Sequence, residues 1–194
     1  EMNTRLQVEH RVSELCYRLR FTNPEDEKDS FAVNSIVELM VLLARHGSRL
    51  PCPTRERREP ASLEARMNAT DRALKPHAGG IIKQWSDNIE GEIRDDQGIC
   101  VHNPDTDVFM KYHLAGAYDS NIALLLSTGA GRTESYSQMA EILRQTRLTG
   151  DNLQTNIEFL YGLINWLIGN NVQARPTTNF VVPYLTAIGQ LKAI

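Results

Sequence analysis

The first ten residues constrain the fold of this chain more than any other stretch, because polar and apolar side chains alternate along them. In an extended strand, successive side chains point to opposite faces. We therefore predict a strand over residues 1–10, with a polar row on one face made of Glu1, Asn3, Arg5, Gln7 and Glu9. Such a row is costly to bury unless it has partners. Metal ions, phosphates and small anions are the natural partners of these groups, although a solvated strand face would show the same alternation.

Composition narrows the class of protein. A formal net charge of −3 gives no basic field for nucleic acid. No apolar run is long enough to span a bilayer, so no membrane association is predicted. The three cysteines, Cys16, Cys52 and Cys100, have no Cys-x-x-Cys spacing. This usage favours a reducing cytoplasmic setting over a disulfide framework or a zinc site.

The first third of the chain predicts helices joined by polar loops. The helical spacing of Leu15, Cys16 and Leu19 predicts a short helix over residues 12–21, and Pro24 among charged residues predicts a loop over 23–29. Ser30 is the predicted cap of a helix that ends at Gly47. The predicted buried face of this helix consists of Val33, Ile36, Val37, Met40, Leu43 and Ala44. Residues 50–60 are predicted to be a loop, whose Arg55, Arg57 and Arg58 are either solvated or contact phosphates or a partner chain.

The remainder predicts strands followed by helices. Alternation over residues 62–70 places Leu63, Ala65, Met67 and Ala69 on one face and Glu64, Arg66 and Asn68 on the other. Further strands are predicted after the turn at Gly79 and Gly80 and over 99–101, 108–112 and 121–127. Helices are predicted over 132–145 with Thr133 as its cap, over 157–168 as a buried helix, and from Phe180 onward. Together these elements predict an α+β domain.

A resemblance rests on two of these segments. The decapeptide over residues 1–10 resembles the signature of biotin carboxylase, the ATP-grasp component of biotin-dependent carboxylases. Residues 63–71 are similar to a second segment of that family, in which an arginine contacts biotin; Arg66 stands at that position. Weaker matches occur at Tyr118-Asp119-Ser120, at Thr155-Asn156 and at residues 177–180.

The sequence also departs from the family pattern. Arg11 stands where the family usually has proline, Leu124 stands where it commonly has lysine, and Thr155 is spaced slightly farther from Gly150. Residues 16–60 are longer than the usual family segment, and the role of the extension is open.

The resemblance implies an α+β fold in two parts. Residues 1–59 are expected to form the end of the ATP-grasp domain with an extended helical segment. Residues 60–194 are expected to form the biotin carboxylase C-terminal domain, an antiparallel sheet with packed helices. The chain is accordingly expected to be a fragment of a longer protein.

The resemblance also implies site roles. Glu1 and Asn3 are expected to bind Mg²⁺ or Mn²⁺, because these ions prefer oxygen ligands. Arg5 is expected to contact bicarbonate, with Gln7 and the backbone of Val8 completing an anion cradle. Glu9 is expected to act as general base on bicarbonate. Arg66 is expected to stabilise the enolate form of biotin.

The implied reaction is the ATP-dependent carboxylation of carrier-bound biotin by bicarbonate. Its implied partners are a biotin carboxyl carrier protein or domain, a carboxyltransferase and a second copy in a homodimer. Because the sequence contains no glycine-rich lid loop and no phosphate-binding lysines, the isolated chain is predicted to be inactive. Two alternatives stay open, namely a non-catalytic module for dimerisation or carrier docking and another ATP-grasp ligase.

Overall fold

The computed structural model describes residues 5–77, 80–95, 102–103, 108–109, 112–113, 120–174 and 177–189. Short 3-10 helices cover Gly47–Arg49 and Thr178–Phe180. The five α-helices of the described residues are α1 (His10–Cys16), α2 (Ile36–His46), α3 (Arg132–Gln145), α4 (Ile157–Gly169) and α5 (Val181–Ala187). The strands are β1 (Tyr17–Asn23), β2 (Asp26–Val33), β3 (Thr54–Arg57), β4 (Ala61–Asn68), β5 (Ile81–Trp85), β6 (Ile93–Asp95), β7 (His102–Asn103), β8 (Val108–Phe109), β9 (Tyr112–His113), β10 (Asn121–Gly129) and β11 (Leu148–Asp151).

All strand pairs in the described residues are antiparallel. The strands form three small sheets, in the orders β2-β1-β3, β4-β10-β6 and β11-β5-β9, together with the pair β7-β8. The α+β prediction of an antiparallel sheet with packed helices is confirmed.

The core lies on one face of the β4-β10-β6 sheet. Ala65 of β4 and Leu125 of β10 are directly opposite each other, and they pack against Met139 and Ile142 of α3 and Ile164 of α4. This is the face that the alternation over residues 62–70 assigned to Ala65. A second cluster continues the core toward β5 through Met67, Ala69, Ile82, Ile122 and Ala123. The opposite face of the sheet is therefore left to meet the N-terminal segment.

Asn156 fixes the backbone of β4 beside Arg66. Its side-chain nitrogen donates to the carbonyl of Arg66 at 3.0 Å, and its side-chain oxygen accepts from the amide of Asn68 at 2.8 Å. Asn156 is buried. A buried amide satisfied on both sides ties the loop before α4 to the strand that carries Arg66.

A buried ion pair stabilises the end of β5 against β6. The side chains of Arg94 and Glu92 are 5% and 0% exposed, and their closest atoms lie 2.6 Å apart. Arg94 also donates to the carbonyl of Ser86 and stacks on the ring of Trp85 at 4.6 Å. Burial of these charges is tolerable because both are paired and hydrogen-bonded.

Four predicted features of the N-terminal third are wrong. The helix predicted over residues 12–21 ends at Cys16, because residues 17–21 pair with β2 and β3 as part of β1. Residues 5–7 have no regular structure and 8–9 form a turn, so there is no strand in the described part of the decapeptide. Residues 26–29 belong to β2, and residues 54–57 form β3, where loops were predicted. Charged strands look like loops in sequence, but here β1 lies between them and Glu56 pairs with Arg18 and Arg20 across the sheet.

The helices were placed well, but their caps and burial were not. Ser35 caps α2, since its hydroxyl accepts from the amide of Glu38. The predicted cap Ser30 and the predicted helix residue Val33 both lie within β2, which pairs with β1. Gly131, not Thr133, precedes α3. No residue of α2 is buried, and its predicted core residues Val37, Met40 and Leu43 are about half exposed. Helix α4 also exposes Tyr161 and Trp166, so it is only partly buried.

Several predictions lie outside the described residues. These are Glu1 and Asn3, the turn residue Gly79, the strand over 99–101, and Tyr118 and Asp119. The strand predicted over 108–112 is divided between β8 and β9, which pair with different strands. Among the described helices, none is long and apolar enough to cross a membrane.

Candidate functional site

The segment over residues 5–10 folds into a turn that leads directly into α1. The amide of His10 donates to the carbonyl of Gln7 at 3.2 Å, and the ring Nδ1 of His10 lies 2.9 Å from the same oxygen. The amide of Val12 donates to the carbonyl of Glu9 at 3.2 Å. The backbone and the side chain of His10 thus both hold the turn that precedes α1.

Arg11 joins α1 to the β4-β10-β6 sheet. Its Nη1 donates to Glu14 Oε2 at 2.8 Å, and its Nε lies 2.7 Å from Asp95 Oδ2 at the end of β6. These carboxylates raise the pKa of Arg11, with the hydrogen bond to Glu14 as the largest cause. The other oxygen of the buried Glu14 accepts from the amide of Ile36 at 2.7 Å. One carboxylate therefore ties α1 to α2, while one guanidinium ties α1 to the sheet.

Strand register sets three residues in a row beneath this segment. Leu124 of β10 is directly opposite Arg66 of β4 on one side and Asp95 of β6 on the other. Directly opposite residues in an antiparallel sheet share a face. The row is therefore Arg66, Leu124 and Asp95, on the face away from the core helices. Leu124 puts an apolar side chain between an arginine and an aspartate, at the position where the family commonly has lysine.

A cleft of about 240 Å³ lies between the N-terminal segment and this row. Its lining residues are Leu6, Gln7, Val8, His10, Asp95 and Leu124. The cleft is thus lined by residues from the start of the chain and by one residue each from β6 and β10. Within the N-terminal segment, Gln7 and Val8 are half-buried, whereas Arg5 and Glu9 are exposed.

The pKa of Glu64 depends on the charged residues near this face of the sheet. Its carboxyl is about half-buried, and its Oε2 has no hydrogen-bond partner among the described residues. Burial raises the pKa of Glu64, the charge of Glu9 raises it further, and Arg66 and His10 oppose the rise. Glu9 and Arg66, which are distant in sequence, therefore both act on the Glu64 carboxyl. The fold brings the proposed base and the proposed biotin-contacting arginine to one face.

Glu64→Gln is expected to change the pH dependence of stability. Because the folded pKa of Glu64 is raised, the folded state retains a proton that the unfolded state has lost. Stability therefore falls as pH rises from the unfolded pKa toward the folded one, and the cost persists at higher pH. We expect Glu64→Gln to remove that fall. The free energy of unfolding of the variant, relative to that of wild type, is therefore expected to increase from pH 4 to pH 7.

The measurement is urea unfolding of both proteins across this pH range. Glu59→Gln, at an exposed position before β4, is the matched control and is expected to show a smaller pH-dependent difference. A difference between Glu64→Gln and wild type that stays constant with pH would contradict the assignment.

The predicted site residues fall into three groups. Gln7 and Val8 line the cleft. The charge of Glu9 contributes to the raised pKa of Glu64. Arg66 is exposed on the same face, and Arg5 is exposed with a 3.4 Å hydrogen bond to the Leu6 carbonyl. Glu1 and Asn3 lie outside the described residues. Within the described ranges, no cluster of three or more His, Cys, Asp or Glu side chains fits a metal ion.

Sequence reasoning missed four charged residues of this region, namely Arg11, Glu14, Glu64 and Asp95. Arg11 carried a signal, because it replaces the usual proline of the signature. Glu64 was placed on the polar face of its strand, but nothing in its spacing predicted partial burial. The contact of Asp95 with Arg11 depends on how β6 pairs with β10, which the local sequence does not show.

The comparison with curated proteins supports the resemblance. No protein-family model matches the chain. The biotin carboxylase of Halalkalibacterium halodurans is 29% identical over 187 residues, which cover 95% of this chain and 35% of that protein. The chain is similar to part of a biotin carboxylase. It spans about a third of the length of this biotin carboxylase relative.

Solved structures show the same fold at lower identity. The biotin carboxylase of Campylobacter jejuni, a β-γ-ATP complex, has a TM-score of 0.61 at 21% identity, covering 94% of this chain and 34% of its own. Rhizobium etli pyruvate carboxylase with acetyl coenzyme A has a TM-score of 0.64 at 19% identity, covering 100% of this chain and 17% of its own. The biotin carboxylase domain dimer of Hydrogenobacter thermophilus 2-oxoglutarate carboxylase, with MgADP and bicarbonate, has a TM-score of 0.58 at 22% identity, covering 85% and 31%. These likenesses establish a biotin carboxylase fold.

Proposed function

We propose that the chain is part of a biotin carboxylase that uses ATP and bicarbonate to carboxylate carrier-bound biotin. The supporting observation is that Gln7 and Val8 of the signature segment line a cleft together with Leu124, which is directly opposite Arg66 in the sheet. The matched biotin carboxylase sequence supports the same reaction class. The proposed boundary divides the end of an ATP-grasp domain, residues 1–59, from a C-terminal domain, residues 60–194.

In this proposal Glu9 removes the proton of bicarbonate, and Arg5 holds the anion by charge-assisted hydrogen bonds. Gln7 and the backbone of Val8 complete the anion site from the wall of the cleft. Arg66 places positive charge where negative charge develops on the ureido oxygen of biotin. Donors fixed before the reaction are effective because they need little reorganisation when charge appears.

The proposal assigns Mg²⁺ or Mn²⁺ to Glu1 and Asn3, as oxygen ligands beside the nucleotide phosphates. Such an ion would neutralise phosphate charge. The remaining nucleotide contacts belong to a nucleotide-binding lobe, because the sequence of this chain holds no phosphate-binding glycine loop. Related structures with MgADP, ATP analogue and bicarbonate support this choice of cofactors.

The proposed partners are a biotin carboxyl carrier protein or domain and a carboxyltransferase. The acyl acceptor is proposed to be an acyl-CoA such as acetyl-CoA, which would place the protein in fatty acid synthesis in the cytoplasm. A homodimer is proposed because a related biotin carboxylase domain is a dimer. Light scattering tests this last point, and a monomer at tens of micromolar would contradict it.

The proposal predicts that the 194-residue chain alone does not hydrolyse ATP, with or without bicarbonate. A protein that joins this chain to a nucleotide-binding lobe is expected to hydrolyse ATP in a bicarbonate-dependent way. Phosphate release, measured for both proteins with and without bicarbonate and biotin, checks the prediction. Bicarbonate-dependent turnover by the chain alone would contradict the division of the site between two lobes.

A further inference from the structure

A second cavity, which shares no lining residue with the cleft, lies beside Ser13 and Glu14 of α1. Its volume is about 370 Å³, within the usual range for small-molecule sites of roughly 300–1,000 Å³. It is enclosed by α1, the start of β1, the end of β2, the first turns of α2, and Arg55 of β3. All of these elements after α1 belong to residues 16–60, the segment that is longer than the usual family segment. The proposed reaction gives this cavity no role.

The walls of the cavity are mostly hydrocarbon. Leu19 of β1 and Val33 of β2 are directly opposite each other in the sheet, so they share one face. Ile36 and Leu39 of α2 also line the cavity. Tyr17 lies two residues before Leu19 on the same strand and adds an aromatic wall. An apolar ligand body would bury its surface here.

One cation faces the same side of the sheet. Arg55 is directly opposite Leu19, which places Val33, Leu19 and Arg55 in a row across the three strands. The Arg55 guanidinium lies 4.9 Å from the ring centroid of Tyr17, and it has no carboxylate partner among the described residues. A guanidinium stacked on an aromatic ring keeps its edge donors available for an anion.

The other charges around the cavity are already paired. Glu14 accepts from the amide of Ile36 with one oxygen and from Arg11 with the other. Arg18, which alternates to the other face of β1, pairs with Glu56 at 2.7 Å. The unbalanced charge at this cavity is therefore the positive charge of Arg55.

We propose that this cavity binds a small monocarboxylate with an aliphatic or aromatic body. The carboxylate pairs with the guanidinium of Arg55, and the hydrocarbon body lies against Leu19, Val33, Ile36 and Leu39. The site is separate from the cleft of the proposed reaction and does not depend on it.

The test uses octanoate, octylamine and octanol as probes of the 194-residue chain. Binding is followed by calorimetry and by NMR shifts of the methyl groups of Val33, Ile36 and Leu39. Octanoate is expected to bind and to shift these methyl groups, whereas octylamine is expected not to bind. Octanol is expected to bind about tenfold or more weakly than octanoate, because it lacks the charge that pairs with Arg55.

Variants of Arg55 test whether its guanidinium pairs with the carboxylate of octanoate. Arg55→Met is expected to weaken octanoate binding about tenfold or more, and Arg55→Lys is expected to retain most of it. Arg45→Met, at an exposed arginine of α2 outside the cavity, is the matched control and is expected to bind like wild type. The proposal is overturned if octanoate does not shift the three methyl groups, if Arg55→Met binds as tightly as wild type, or if octylamine binds as well as octanoate.

Discussion

Glu9→Gln is expected to lower the rate of biotin carboxylation by about a hundredfold or more, in a protein that joins this chain to a nucleotide-binding lobe. The substitution keeps the size of the side chain but removes the carboxylate that is proposed to take the proton of bicarbonate. Glu9 is exposed in the turn before α1, so the fold is expected to tolerate the change. The measurement is steady-state carboxylation of biotin, with ATP hydrolysis followed in parallel.

Arg66→Ala is the companion variant, and its rate is expected to fall by about a hundredfold to a thousandfold. Arg66 is exposed on β4, and its backbone remains held by Asn156, so the loss is expected in the reaction and not in folding. Arg45→Ala and Glu59→Gln, both at exposed positions outside the lining of the cleft, are matched controls with wild-type rates expected. Normal carboxylation by both Glu9→Gln and Arg66→Ala would contradict the site assignment.

Gly150→Ala is expected to destabilise the fold by about 3 kcal/mol. Gly150 lies at an irregularity in the pairing of β11 with β5. A Cβ atom at this position would lie 1.8 Å from the carbonyl oxygen of Ile81 and 3.1 Å from the Cα of Ile82. Both contacts are with backbone, so the two strands must separate to accommodate a methyl group. Ile82 is fully buried in the core cluster, and movement of β5 therefore disturbs the packing around it.

The measurement is equilibrium unfolding in urea. Gly169→Ala is the matched control, since a Cβ at the last residue of α4 would meet nothing within 4 Å. Alanine in a helix is favoured over glycine by about 1 kcal/mol, so Gly169→Ala is expected to be neutral or stabilising. Equal stability of Gly150→Ala and wild type would show that β5 and β11 are not packed as described.

The strands and helices with a continuous apolar pattern could be predicted from sequence. β4, β10, α3 and α4 all appear near their predicted bounds, because each buries a face whose period the sequence displays. Their packing gave the α+β class. The position of Arg66 on the polar face of β4 follows from the same alternation, since Ala65 and Met67 beside it are buried.

The N-terminal third could not be predicted in the same way. β2 contains four charged residues in its first four positions, and its identity as a strand depends on pairing with β1. The periodicity of α2 correctly predicted a helix, but periodicity does not say whether another element covers the apolar face. In the decapeptide, alternation was a poor guide, because the chain turns at residues 8–9 and gains helical hydrogen bonds from His10 onward.

The roles of the site residues stay predictions. The resemblance selected Gln7, Val8 and Glu9 in the N-terminal segment and Arg66 on β4, and it carried over the roles of these residues from the family. It could not supply the contacts of Arg11 with Asp95 and Glu14, because these join elements that are distant in sequence. The partial burial of Glu64 likewise depends on how α1 covers β4.

The most direct test of the central proposal is the transfer of labelled bicarbonate carbon to biotin. The 194-residue chain is compared with a protein in which the chain is joined to a nucleotide-binding lobe, each with and without ATP. The proposal predicts ATP-dependent labelling of biotin by the joined protein and none by the chain alone. An active nucleotide-binding lobe that hydrolyses ATP while the joined protein leaves biotin unlabelled would contradict it.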